Sequence, residues 1–129
     1  MIAPMRRLLP AALFLGLSCA AGVADDAAKV RLLMGRNDRL KLEIQLLTAE
    51  KDPDRAIDER IGVMIRAVKE ATALRPLKDA ARNDLLPGLS VQALADLESL
   101  RGLRWSPQTR EANWNRLEAA CATCHLRVR

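Results

Sequence analysis

Cys121-Ala122-Thr123-Cys124-His125 is the stretch whose residue types and spacing most directly imply chemistry. On a helix, positions i, i+3 and i+4 share a face, so two thiols and an imidazole can address one body beside that helix. C-x-x-C-H is also the spacing of covalent haem attachment. There the two thiols add to the two vinyl groups of one haem, and the adjacent histidine becomes the proximal iron ligand. The expectation is one haem c, joined through Cys121 and Cys124, with His125 on the iron.

Three other uses of these residues fit less well. A redox dithiol of the thioredoxin kind needs the N-terminal end of a helix, where the dipole lowers the thiol pKa. This motif falls at the C-terminal end of its expected helix. A zinc site needs a fourth ligand, and His125 is the only histidine. A disulfide between Cys121 and Cys124 gives His125 no role and is strained at i, i+3 on a helix. The single histidine also excludes bis-His ligation within one chain. Four residues follow the motif in this sequence, so a sixth iron ligand has to come from upstream.

The elements that must position this group are helical. The sequence of 129 residues is 50% hydrophobic but only 2% aromatic. Strands favour aromatic and β-branched residues, whereas Leu, Ala, Arg, Glu and Lys dominate here, which are helix formers. Residues 1–24 read as a cleaved secretory signal peptide. Arg6 and Arg7 give its basic start, Leu8 to Leu17 its apolar stretch, and Ala20, Ala21, Gly22 and Ala24 its small residues. The apolar run is shorter than the roughly 20 residues a membrane span needs. Cys19 follows Gly16-Leu17-Ser18, a faint lipoprotein-like box; lipid anchoring there ranks below simple removal with the leader. The expected location is periplasmic, with residues 25–129 as the mature domain and no transmembrane segment in it.

Loss of Arg6 and Arg7 leaves 19 basic against 16 acidic residues, a formal charge of +3. With no basic run, that balance excludes nucleic acid as a partner. The mature chain reads as four helices. The first runs from Asp26 to about Glu50, with Val30, Leu33, Leu40, Ile44 and Leu47 in one stripe and Asn37 among them. Asp52 caps the second, which starts at Pro53 and runs to about Leu74, with Ile57, Ile61, Met64, Val68 and Ala71 inward. Leu77 to Leu86 continues as a bent stretch, and Pro87-Gly88 marks a turn. Ser90 caps a short third helix carrying Leu94, Leu97 and Leu100. Ser106-Pro107 opens the last, whose stripe is Trp114, Leu117, Cys121, Cys124 and Val128. Short connections favour an antiparallel four-helix bundle, and Asn37 in the first stripe also permits a coiled-coil homodimer.

A leader, about four helices and C-x-x-C-H next to Arg129 together resemble the class II c-type cytochromes, the cytochrome c′ group. Arg129 matches a basic residue near the end of that family's motif, while Val128 stands in place of its aromatic. Arg31 and Met34 resemble an Arg-then-Met or Arg-then-Leu pattern early in the family's first helix, one residue more closely spaced. The resemblance implies a bundle, often dimeric, with haem between the helices. It also implies two roles for Met34. As sixth ligand it would give a low-spin electron carrier; as apolar filler over the distal face it would leave the iron open to nitric oxide or carbon monoxide. Trp114, two turns before Cys121, is expected near the porphyrin edge. Arg127 and Arg129 are candidates for pairing with haem propionates.

The expected function is therefore electron transfer, with redox proteins as partners. Alternatives are a gas-binding haem protein or the haem subunit of a larger redox complex. No acid–base constellation accompanies the motif, so an enzyme is not expected. From Arg101 onward six Arg face Glu111 and Glu118, an excess that could steer an acidic partner.

Overall fold

Apolar residues at 3-4 spacing bury one face of a helix, and four such helices can cover one another. The computed structural model describes the backbone of residues 12–128 and the side chains of residues 25–125. Arg6, Arg7 and Arg129, and the side chains of Cys19, Arg127 and Val128, therefore lie outside what is described. The fold is all-α: α1 (Ala12–Leu47), α2 (Asp54–Ala73), α3 (Ala80–Glu98) and α4 (Arg110–Val128). No strand occurs among the described residues. The backbone of residues 12–24 is helical and continuous with α1.

The expected stripes are the buried faces. Leu33, Asn37, Leu40 and Ile44 of α1 are buried, as are Ile57, Ile61, Met64, Val68 and Ala71 of α2. Leu97 and Leu100 meet them from α3 and its C-terminal end, and Leu117 from α4. Close packing runs α1 on α2, α2 on α3 and α3 on α4; α1 and α4 do not pack together in that way. The seam between them is crossed by side chains instead. Lys41 Nζ lies 3.7 Å from Glu118 Oε1 and 5.8 Å from the centre of the Trp114 ring. A second, smaller cluster of Leu33, Ala67 and Ala71 sits with Val30, Met34 and Leu74.

Two helix starts differ from the expectation. Asp52 does not cap α2. It adopts a positive φ of 51°, and Pro53 is the N-cap residue with no side-chain bond to the helix. Asp54, the first residue of α2, instead accepts from the Trp105 backbone N–H at 2.7 Å. Asp54 thereby gives a part-buried N–H remote in sequence its acceptor.

The third helix is longer than expected, and Pro87-Gly88 is not a turn. Asp79 caps α3, accepting from Ala81 N at 3.0 Å and Arg82 N at 3.4 Å, and the helix runs through Pro87. Ser90 is therefore interior rather than a cap; it is buried, and its Oγ donates to the Pro87 carbonyl at 2.8 Å. A helix can carry an interior proline when tertiary packing repays the lost N–H. Leu86, Ala93 and Leu97, buried around it, supply that packing. Ahead of α3, Asn83 ties the Leu77 backbone at both ends, with Leu77 N to Asn83 Oδ1 at 2.9 Å and Asn83 Nδ2 to Leu77 O at 2.8 Å.

Ser106-Pro107 does open the approach to the last helix. Thr109 Oγ1 accepts from Ser106 N at 3.0 Å, and Ser106 O accepts from Arg110 N at 2.9 Å. This reciprocal arrangement satisfies donors that a helix start leaves free. It also sets the register that turns Leu117, Ala120, Cys121 and Cys124 to the inside.

Candidate functional site

Cys121, Cys124 and His125 sit near the C-terminal end of α4, where α1 leaves the seam open. Two adjoining clefts meet there. The first, a narrow cavity of about 40 Å³, is lined by Met34, Asn37, Lys41, Met64, Ala93, Ala120, Cys121, Cys124 and His125 among others. The second, of about 110 Å³, is lined by Val30, Met34, Val68, Ala71, Pro76, Leu86, Cys124 and His125 among others. Met34, Val68, Cys124 and His125 belong to both. Alanines at 71, 93 and 120 explain the room, because each stops at Cβ where a leucine would fill the space.

Both thiols are half-buried and free, and His125 is exposed at the mouth. Burial pushes the Cys121 thiol above its ordinary pKa, with Lys41 pulling the other way. Burial alone raises Cys124. Raised values keep both sulfurs protonated at neutral pH, the reverse of a redox-active dithiol. Among the described residues, no group of three or more His, Cys, Asp or Glu side chains could hold a metal ion. No described helix is long and apolar enough to cross a membrane.

Of the residues singled out by sequence, the structure brings Met34, Cys121, Cys124 and His125 to one cleft system. Met34 faces the motif from α1, across the seam. Met64 lines the first cleft and is fully buried. Trp114 does not line either of these clefts. It packs against the main core and borders a neighbouring groove with Asp38, Lys41, Leu42, Gln45 and Glu118. Two turns separate Trp114 from Cys121, and α4 carries it along the seam to the Lys41 position.

Asn37 has a place in the cleft that its stripe position did not reveal. Only 7% of it is exposed, it lines the first cleft, and its Oδ1 is buried without a hydrogen-bond partner. Its spacing of one turn from Met34 was the available signal. Lys41, which also lines this cleft, was not singled out, and no local pattern marks it. Comparison with family models, with characterised proteins and with solved structures found no match.

Proposed function

We propose that the chain is a monohaem c-type cytochrome that carries electrons. The observation that carries this reading is the convergence of the Cys121 and Cys124 thiols, the His125 imidazole and the Met34 thioether on one largely apolar cleft. Haem, when bound, supplies one-electron chemistry at its iron. Cys121 and Cys124 would hold it by thioethers, which need no low thiol pKa in the finished product. His125 would be the proximal ligand, and Met34 the distal one. The apolar wall of Met64, Val68, Ala71, Leu86 and Leu97 would exclude water and so influence the potential. Residues 1–24 would export the chain to the periplasm, and redox proteins would be its partners.

The buried, unpartnered Oδ1 of Asn37 favours a second reading, in which Met34 only packs and the sixth position accepts a small ligand. A resemblance to the cytochrome c′ group is compatible with both.

The test is expression in a host with a covalent haem-attachment system, followed by denaturing electrophoresis with haem staining and intact-mass analysis. One haem retained under denaturing conditions is expected, lost in the Cys121→Ala/Cys124→Ala variant. A fully exported chain that carries no haem overturns the proposal.

A further inference from the structure

Two different parts of the molecule hold α1. Its C-terminal half, with Leu40, Ile44 and Leu47, belongs to the main core. Its N-terminal arm, residues 25–34, belongs to the smaller cluster, in which Val30, Leu33 and Met34 rest on Ala67, Ala71 and Leu74. Alanines offer a leucine little area to bury against, so the arm is gripped less firmly than the rest of α1. Gly35 separates the two halves. It is exposed, and a Cβ added there would meet nothing within 4 Å. Its backbone is not left-handed, a state reached among the described glycines by Gly102. Neither a close approach nor a turn calls for glycine at this point, and its remaining effect is to soften the helix.

The arm is fastened near its start. The Arg75 backbone N–H donates to Asp26 Oδ2 at 3.0 Å. Arg75 lies between α2 and α3 and is itself fixed, its guanidinium donating to Asp84 Oδ1 at 2.6 Å and to the Ala80 carbonyl at 3.2 Å. Between Asp26 and Gly35, the arm contributes Val30 and Met34 to the lining of the second cavity, which Cys124 and His125 share. The cavities of about 40 and 110 Å³ are too small for a haem, since cofactor sites run to roughly 300–1,000 Å³. Met34 borders both, so displacing the arm joins them and opens them to solvent.

We infer that residues 25–34 are a lid over the thiol–imidazole cleft, hinged at Gly35 and latched by Asp26 to the Arg75 N–H. The lid is a property of the haem-free chain. Only the identity of what it admits rests on the haem reading: a porphyrin, wider than either cavity, is accommodated beside Cys121, Cys124 and His125 with the arm raised. Met34 rides on the arm, so raising it also withdraws the thioether from the motif.

The experiment uses the reduced, full-length chain without haem. Alkylation of each thiol by iodoacetamide is followed at one fixed pH and assigned residue by residue from fragment masses. Cys124 lines the cavity beneath the lid, and lid opening should limit access to it. Asp26→Ala removes the latch and should accelerate Cys124 about three- to tenfold. Asp25→Ala is the control. It removes the same charge but breaks an ion pair within the arm, Lys29 Nζ to Asp25 Oδ2 at 3.0 Å, and should change the rate by about twofold at most. Burial alone shifts the Cys124 thiol, so removal of either carboxylate leaves its acidity unchanged and the rate reads access. Gly35→Ala stiffens the hinge and should slow Cys124 about two- to fivefold. All three substitutions fall at exposed or half-exposed positions, so each variant should keep the bundle.

The Cys124 rate should stay nearly flat in urea below the unfolding transition, because lid opening exposes far less surface than unfolding. A rate that rises in step with urea unfolding, or that equals the rate in the unfolded chain, overturns the lid. Equal effects of Asp26→Ala and Asp25→Ala overturn the latch, and no slowing in Gly35→Ala overturns the hinge. A chain that takes no haem in an attachment-competent host but shows the expected rates fails the haem reading and keeps the lid. A chain that takes haem but whose haem-free form lacks these rates fails the lid alone.

Discussion

The Asp54 carboxylate accepts a 2.7 Å hydrogen bond from the backbone N–H of Trp105, 51 residues along the chain. This bond joins the first turn of α2 to the segment that leads into α4. Trp105 itself is only 2% exposed, so the approach to the motif-bearing helix is anchored in the core by one side chain and one backbone bond.

Asp54→Ala should therefore cost more than a surface substitution. It leaves a part-buried N–H without an acceptor, and a bond to a charged group is worth about 1.5–3 kcal/mol. Urea denaturation gives the value. A loss under about 0.5 kcal/mol would show that water replaces the carboxylate.

Pro87 should be replaceable at a gain. Its missing N–H leaves the Asn83 carbonyl without its helical donor, and an interior proline costs about 3 kcal/mol relative to alanine. Part of that is returned by its restriction of the unfolded chain, about 0.4–1 kcal/mol. Pro87→Ala is expected to raise stability by roughly 2–2.5 kcal/mol in urea denaturation. A loss of stability would mean that α3 needs a bend at this point to present Leu97 and Leu100.

The thiols set a pH dependence in the haem-free chain. Burial favours the neutral thiol at Cys121 and Cys124 and raises both pKa values. A raised folded value means that the native state holds its protons more tightly than the unfolded chain. The stabilisation is complete below the ordinary thiol range and is lost as pH rises through the folded values. Alkylation by iodoacetamide should be slow at neutral pH and accelerate only above the ordinary range. Lys41→Ala should slow Cys121 further, since that ammonium opposes the shift. Thiols as reactive at neutral pH as those of an unfolded peptide would contradict the burial.

Ligand replacement should divide the cleft residues by role. His125→Ala is expected to retain thioether-bound haem but change the iron spectrum, whereas Cys121→Ala/Cys124→Ala should abolish attachment. Met34→Ala decides the sixth position. Conversion from a low-spin to a high-spin spectrum identifies Met34 as the ligand; an unchanged high-spin spectrum assigns it to packing.

Sequence periodicity located the buried faces of α1 and α2 almost residue by residue, because burial of Leu33, Leu40, Ile44, Ile57, Ile61 and Met64 depends on spacing along one helix. The local identity of the motif was equally plain, since Cys121, Cys124 and His125 are consecutive contributions from one element. The course of α3 through Pro87 was not legible: a proline breaks helices by local rules, and only the packing of Leu86, Ala93 and Leu97 against other helices offsets that cost. The use of Asp54 was hidden for the same reason, its partner being remote in sequence.

What the residue order determined by itself was therefore the all-helical content, the inward stripes and the thiol–imidazole set. Only the tertiary structure decided what stands across from that set. It opened the α1–α4 seam around Met34 and Asn37, left the Asn37 oxygen unpaired, and carried Trp114 to the Lys41 side. Those outcomes depend on how four helices divide one core, and the spacing within any single helix does not contain that information.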